Sequence, residues 1–202
     1  MNTLTTHLER TGSRGDIQDS WIRSLRQLWA WPLSVLVGLP IAGYLADLVV
    51  DGVDSLGTAV LGGLIAGLVI GTAEWLALRR WVSWLWIPAT GLGMTIGLVV
   101  GAGLVDYSVD RADLVLMGAV TGLGVGVLQA VVLGRPVSRT VWWVLANPPA
   151  WALGWLVTTY VIAANVKEHF AVFGASGALV FGVLTWLLLA ALLRGSARRP
   201  GR

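Results

Sequence analysis

The chain contains no cysteine, and charged residues make up only 12% of its 202 positions. The absence of cysteine excludes a disulfide framework, a thiolate metal site and a cysteine nucleophile. No G-x-x-x-x-G-K-[ST] loop is present to cradle a phosphate, and we identify no serine or threonine nucleophile paired with a histidine base. The sequence therefore offers no catalytic constellation, and we expect neither an enzyme nor a cofactor.

Apolar residues, by contrast, are abundant. They account for 56% of the chain, and the mean hydropathy is +0.75, far above what a soluble domain of this length has. The formal charge of +3 would suggest nucleic acid only if the basic residues formed one face. They fall instead between apolar segments and at the termini. We expect the lipid bilayer as the partner, and no nucleic acid.

Six apolar runs divide the sequence. They lie near residues 28–50, 57–78, 84–105, 113–134, 141–163 and 172–193. About 20 helical residues cross a hydrocarbon core of roughly 30 Å, so each run is long enough to span it. The alternation of polar and apolar residues that marks membrane strands is missing. The sequence therefore predicts an all-α, integral membrane bundle of six transmembrane helices.

The arginines indicate the orientation of this bundle. Twelve of the fourteen basic residues fall before run 1, between runs 2 and 3, between runs 4 and 5, or after run 6. By the positive-inside rule, both termini are predicted to be cytoplasmic. Arginine outnumbers lysine thirteen to one, and glycine, alanine and valine are frequent, as GC-rich bacterial coding would give. We expect a multi-pass protein of a bacterial inner membrane.

A repeat of about 55 residues organises the runs in pairs. Its first two copies are Gly63, Gly67, Gly71, Glu74 and Arg80, then Gly118, Gly122, Gly126, Gln129 and Arg135, and a weaker third is Gly174, Ala178, Gly182 and Thr185. Three tandem two-helix hairpins are predicted, at about 28–80, 81–135 and 136–194. Each holds an even number of spans, so the copies share one orientation, and we expect a pseudo-threefold arrangement about the membrane normal.

The unit G-x-x-x-G-x-x-[E/Q]-W-L-x-L-R-R, followed by paired tryptophans, resembles tandem units of uncharacterised multi-pass bacterial membrane proteins. The resemblance covers roughly residues 60 to 194, and "GLVIGTAEWLALRRWVSWLW" matches it best. The second copy departs from it, with Ala130 in place of tryptophan and Gly134 in place of the first arginine. The resemblance implies a fold pattern and no activity.

Glycines at every fourth position predict the helix contacts. Small residues at this spacing let helix backbones approach closely in a membrane, so we expect packing faces rather than a pore. The predicted packing residues are Gly63, Gly67, Gly71, Gly93, Gly97, Gly101, Gly118, Gly122 and Gly126.

Tryptophans cluster near the predicted cytoplasmic boundary. Indole rings favour the headgroup region, so we interpret the pairs before runs 1, 3 and 5 as interface anchors. These are Trp29, Trp31, Trp84, Trp86, Trp142 and Trp143. Before run 1, Ile17, Trp21, Leu25 and Leu28 form one stripe, which predicts an interfacial amphipathic helix within a polar arm, 1–27. The transmembrane domain would then cover 28–194, and a basic tail 195–202.

Glu74 is the one carboxylate well inside a run, about five residues from Arg79 and Arg80. Gln129 and Thr185 are its repeat equivalents, so we expect a ring of three polar side chains near the cytoplasmic mouth. Two interpretations stay open. The ring is a structural cluster, with Glu74 paired to an arginine and hydrogen-bonded to Gln129, or it is a site that handles protons or cations.

No metal site is predicted. Six aspartates occupy the outer ends and loops, namely Asp47, Asp51, Asp54, Asp106, Asp110 and Asp113, but they lack the spacing of a calcium loop. His7 and His169 fall on opposite sides of the membrane, which excludes a two-histidine site within one chain. Lys167 lies at an outer helix end, away from any position suited to a retinal Schiff base.

The glycines and tryptophans predict helix packing and anchoring, whereas few residues suited to catalysis are present. This favours a non-catalytic membrane protein in a structural or accessory role. Its partners would be lipid, other membrane subunits or further copies of itself. The alternative is a small transporter or substrate-capturing subunit with Glu74 as its ionisable site, suggested by the polar ring and by prolines within the runs.

Overall fold

The computed structural model describes residues 12–134, 137–161 and 170–193, and the regular secondary structure of these residues is helical throughout. These segments form α1 (Gly12–Gln27), α2 (Ala30–Val50), α3 (Leu56–Leu78), α4 (Trp86–Leu104), α5 (Arg111–Leu133), α6 (Val137–Val161) and α7 (Phe170–Leu193). Helices α2 to α7 follow the six apolar runs closely. The largest difference is at the start of α6, which begins at Val137 rather than 141.

Five segments are long and apolar enough to cross a membrane. They are Trp21–Val50, Leu56–Leu78, Trp86–Leu104, Arg111–Leu133 and Gly174–Leu193. Helix α6, with 25 residues, is not among them; it contains Asn147, Pro148 and Pro149 along with several tryptophans. The described residues therefore form an all-helical protein with five to six long apolar helices, as expected of a membrane-embedded protein.

Helices α2 to α7 form a closed ring. Each packs against the next in the sequence, and α7 packs against both α6 and α2. The ring order is thus the chain order, and the first and last of these helices are neighbours. One main cluster of buried side chains occupies the ring, and a smaller one lies around Leu98, Ala102 and Met117.

Glycines stand where the ring helices cross. A Cβ added at Gly67 would lie 2.8 Å from the Gly91 Cα of α4, and one at Gly93 would lie 2.7 Å from the Val125 Cα of α5. The structure places Gly63, Gly67 and Gly71 against α4, Gly93, Gly97 and Gly101 against α5, and Gly118, Gly122 and Gly126 against α6. Contacts this close allow backbone-to-backbone dispersion that no larger residue would permit.

Polar residues begin and end some of the helices. At the start of α3, Ser55 and Thr58 form a reciprocal capping box, which satisfies two backbone N–H groups that the first helical turn leaves free. Helix α5 ends at Leu133 and is capped by Gly134, whose φ of +57° is a left-handed conformation that glycine adopts without steric cost.

The amino-terminal helix α1 precedes α2 and packs against the helical ring. Helix α1 contacts α7, and the Trp186 Nε1 donates to the Leu25 carbonyl oxygen at 3.3 Å. Trp21 and Leu25 are half-buried, and Leu28 is buried. The predicted stripe therefore faces helix α7 at least in part. The predicted basic tail, 195–202, and the first 11 residues of the arm lie outside the described residues.

Candidate functional site

Three tryptophans from α2, α4 and α6 meet inside the ring. Trp31, Trp86 and Trp143 are each 0% exposed. Their ring centroids are 6.3 Å apart for Trp31 and Trp86, and 6.1 Å apart for the other two pairs. These are edge-to-face and tilted contacts at favourable aromatic distances. The three indoles fill the centre of the bundle at this level.

This position corrects the expectation that all six paired tryptophans face the headgroups. Trp31, Trp86 and Trp143 are core residues, because their rings pack on one another and are shielded from the surroundings. Their partners Trp29, Trp84 and Trp142 are 62%, 64% and 60% exposed. Only this outer set has the exposure that an interface anchor needs, and its anchoring role stays a prediction.

Each buried indole donates a hydrogen bond to one member of the predicted polar ring. The Trp86 Nε1 donates to the Glu74 Oε2 at 2.9 Å. The Trp143 Nε1 donates to the Gln129 Oε1 at 3.1 Å. The Trp31 Nε1 donates to the Thr185 Oγ1 at 2.9 Å. Three indole N–H groups, each from an even-numbered helix, thus meet three acceptors from odd-numbered helices.

Glu74 and Gln129 also contact each other directly. The Gln129 Nε2 donates to the Glu74 Oε2 and to the Thr90 Oγ1, both at 2.8 Å. The Thr90 hydroxyl lies 3.4 Å from the same carboxyl oxygen and 3.0 Å from the Trp86 carbonyl oxygen. Glu74, Gln129 and Thr90 are all buried. Buried polar groups of this kind contribute to stability only when their hydrogen bonds are made, and here they are made within the protein.

The structure brings Glu74 and Gln129 together but separates Thr185 from both. The Thr185 hydroxyl donates to the Phe181 carbonyl oxygen at 2.7 Å and reaches the other two only through Trp31 and its ring contacts. The predicted ring of three polar residues is therefore part of a larger cluster, in which the three indoles connect the polar residues and Thr90 is a further member. The cluster consists of Glu74, Gln129, Thr185, Trp31, Trp86, Trp143 and Thr90.

Glu74 has no arginine partner within the described part of the chain. Its hydrogen bonds go to Trp86, Gln129 and Thr90, and Arg79 and Arg80 are exposed. The expected ion pair is wrong for these residues, and the physical reason is distance from water. An arginine at the helix end can keep its charge hydrated, whereas the indole and amide N–H groups are already inside the bundle.

Thr90 and Asn147 are polar members of this centre that sequence reasoning missed. Each lies one helical turn beyond a buried tryptophan, at the position that Val35 occupies after Trp31. Both are fully buried, and the Asn147 Nδ2 donates to the Trp143 carbonyl oxygen at 2.8 Å. The signal that could have found them is a polar residue four positions after tryptophan within an apolar run.

The acidic outer ends form no metal centre among the residues described. No group of three or more histidine, cysteine, aspartate or glutamate side chains there could hold a metal ion. His7, His169 and Lys167 lie outside those residues. The centre described above is therefore the candidate site, and it is chemically a hydrogen-bond network with a single ionisable member, Glu74.

No family model matches the chain, and comparisons with curated proteins and with solved structures give no match either. The tandem unit G-x-x-x-G-x-x-[E/Q]-W-L-x-L-R-R consequently finds no relative in these comparisons, and the function has to be inferred from the contacts of this chain.

Proposed function

We propose that the chain is a non-catalytic integral membrane protein with a structural or accessory role, packing with lipid, with other membrane subunits or with further copies of itself. In this proposal α2 to α7 all cross a bacterial inner membrane, and both termini are cytoplasmic. The observation that carries it is the centre of the bundle. The level that holds the only carboxylate deep within a ring helix is filled by three indoles and internally hydrogen-bonded.

The threefold arrangement is supported by equivalent contacts between the three predicted hairpins. Trp31, Trp86 and Trp143 occupy corresponding positions in α2, α4 and α6, and each donates to a polar residue at a corresponding position in α7, α3 or α5. Because α2 packs against α7, Trp31 can form the third of these hydrogen bonds with Thr185. Three copies of one hairpin about a common axis would produce this pattern.

Helix α6 is included among the membrane spans although its composition is less apolar. It packs between α5 and α7 within the ring, and its polar residue Asn147 faces the interior, where it is fully buried. Trp142 and Leu145 are exposed on its outer side. A helix in this position can hold a polar inner face in a membrane because neighbouring helices cover it.

The orientation can be tested with single cysteines, because the chain has none of its own. We expect Asp110→Cys in intact bacterial cells to react with a membrane-impermeant maleimide, and Arg80→Cys and Arg139→Cys to react only after the cells are opened. All three positions are exposed on the protein, so burial would not explain a difference. Labelling of Asp110→Cys and Arg139→Cys from the same side would contradict the proposed topology.

The accessory role can be tested by purification in mild detergent. We expect the chain to elute with a second membrane protein or as a defined oligomer, and crosslinking in native membranes to capture the same species before extraction. The matched control is a six-helix membrane protein of similar size expressed at the same level. Elution of the chain as a lone monomer, with no crosslinked species in membranes, would speak against the role.

One observation favours the alternative, a small transporter in which Glu74 handles a proton or cation. Glu74 is an ionisable side chain that is 1% exposed and accepts hydrogen bonds from Trp86, Gln129 and Thr90. In this alternative, its carboxyl group would bind the exchangeable ion. The two functions make opposite predictions for ion flux through the Glu74→Gln variant.

A further inference from the structure

Three buried polar atoms lie deeper in the bundle than the tryptophan layer and have no hydrogen-bond partner among the described residues. They are the Asn147 Oδ1, the Trp151 Nε1 and the Thr121 Oγ1. Asn147 and Thr121 are 0% exposed, and Trp151 is 3% exposed. A buried polar atom left without a partner costs about 1–3 kcal/mol, so three in one region require an explanation.

Two of the three atoms belong to α6, and the third belongs to the α5 residue next to Gly122, which packs against α6. Asn147 and Trp151 are four residues apart on α6 and so share one face. Thr121 precedes Gly122, where an added Cβ would lie 2.8 Å from the Trp151 Cδ1. Because Cδ1 is bonded to Nε1, the edge of the indole that carries the N–H group lies against α5 at Gly122, and the backbone of the preceding residue, Thr121, lies against Gly97 of α4.

The chemistry of the three atoms is complementary to a single small ligand. The indole N–H can only donate, the amide Oδ1 can only accept, and the threonine hydroxyl can do both. Four residues of helix rise by about 6 Å, which two hydrogen bonds of about 2.9 Å through one oxygen atom can span. A molecule that accepts from Trp151 and donates to Asn147 would therefore fit between successive turns of α6.

Apolar side chains flank these residues along the helices. One helical turn before Asn147 lies Trp143, which packs edge-to-face and tilted against Trp31 and Trp86. One helical turn after Trp151 lies Trp155, which packs against the smaller cluster formed by Leu98, Ala102 and Met117. A charged ligand would have no counter-charge there, since no ionisable side chain is among these residues. The ligand should be neutral and small.

We propose that Asn147, Trp151 and Thr121 form an internal site for ordered water. One or two molecules complete the hydrogen bonds that the protein leaves open, in the manner of buried waters that make about three hydrogen bonds each. The site continues the polar side of the bundle, α4 to α6, beyond Thr90 and Gln129. This proposal is independent of the accessory or transport role of the protein.

Radiolytic hydroxyl labelling of the intact protein in nanodiscs tests the site directly, because X-ray pulses convert a bound water into a radical that oxidises its nearest side chains. We expect Trp151 to be oxidised several-fold faster than Trp31 and Trp86, the matched controls. Those two indoles are equally shielded, and their N–H groups are bonded to protein atoms. Equal or slower oxidation of Trp151 would overturn the proposal.

An isosteric substitution provides a second test that does not depend on labelling. Thr121→Val removes only the hydroxyl and keeps the side-chain shape. If water is bonded to that hydroxyl, the apparent melting temperature falls by several degrees, as it should for the control Thr90→Val, whose hydroxyl has visible partners. An unchanged or raised melting temperature for Thr121→Val would mean a dry, unpartnered hydroxyl and would overturn the proposal.

Discussion

Replacing Gly97 with leucine is expected to prevent the helical ring from forming. A Cβ at this position would lie 2.5 Å from the Thr121 Cα and 3.0 Å from the Thr121 carbonyl oxygen. Both are backbone atoms, so no rotation of a flexible side chain can relieve the overlap, and α4 and α5 would have to separate. Overpacking of a tight core costs about 1–3 kcal/mol even for small additions, and leucine adds four carbon atoms. We expect aggregated or protease-sensitive material in detergent.

Gly103 provides a matched control in the same helix. An added Cβ there meets nothing within 4 Å, and the residue is exposed. Gly103→Leu should therefore purify with the elution profile and melting temperature of the wild type. Gly97→Ala should fall between the two, with a melting temperature several degrees lower. A well-folded Gly97→Leu would mean that the α4–α5 contact is looser than the structure has it.

Replacing Glu74 with leucine is expected to destabilise the bundle by about 2–5 kcal/mol, the range for removing one partner of a buried, charged or hydrogen-bonded pair. The indole N–H of Trp86 and one N–H of Gln129 would lose their acceptor in a region shielded from water. Glu74→Gln should stay within about 1 kcal/mol of wild type, because the amide oxygen can accept the same bonds. Unfolding by denaturing detergent, followed by tryptophan fluorescence, measures both.

Asp47→Leu serves as the control for loss of a carboxylate, since Asp47 is exposed near the end of α2. Flux measurements on the same variants separate the two proposed functions. For an accessory protein, proteoliposomes with wild type and with Glu74→Gln should show equal proton and cation leak. A flux that wild type supports and the well-folded Glu74→Gln lacks would replace the accessory role by transport. A stable Glu74→Leu would likewise remove the structural explanation for this residue.

The positions of the helices were predictable because a membrane imposes a minimum length on every apolar run. The repeat also predicted that Glu74 and Gln129 lie at one level, and they are hydrogen-bonded to each other. Both inferences depend only on periodicity along the chain. Neither required knowledge of which faces of the helices meet.

The burial of one tryptophan from each pair was not predicted, since hydropathy treats the two members alike. Trp29 and Trp31 are two residues apart, which places them on nearly opposite sides of a helix. Trp84 and Trp86 have the same spacing. Only one member of these two pairs can face the interior, and this geometric constraint was available from the sequence. Trp142 and Trp143 are consecutive, so their spacing alone does not decide which of them is buried.

The partner of Glu74 was misjudged for a different reason. An opposite charge is offered in the sequence by Arg79 and Arg80, whereas the donors in the structure are the amide N–H of Gln129, which was predicted, and the indole N–H of Trp86, which was not. Tryptophan was considered for its apolar ring and its affinity for headgroups. Its N–H group, when buried, requires an acceptor, and the polar residue that recurs at one level in each hairpin was the clue to that pairing.

The three indole hydrogen bonds differ greatly in how soon they can form during synthesis. Trp86 and Trp143 find their acceptors 12 and 14 residues earlier in the chain, so these bonds can form as each new segment leaves the ribosome. Trp31 must wait for Thr185, 154 residues later. Until the last segment is added, the ring is open and the Trp31 indole at its edge lacks its acceptor. An insertase or chaperone could bind the exposed edge at this stage.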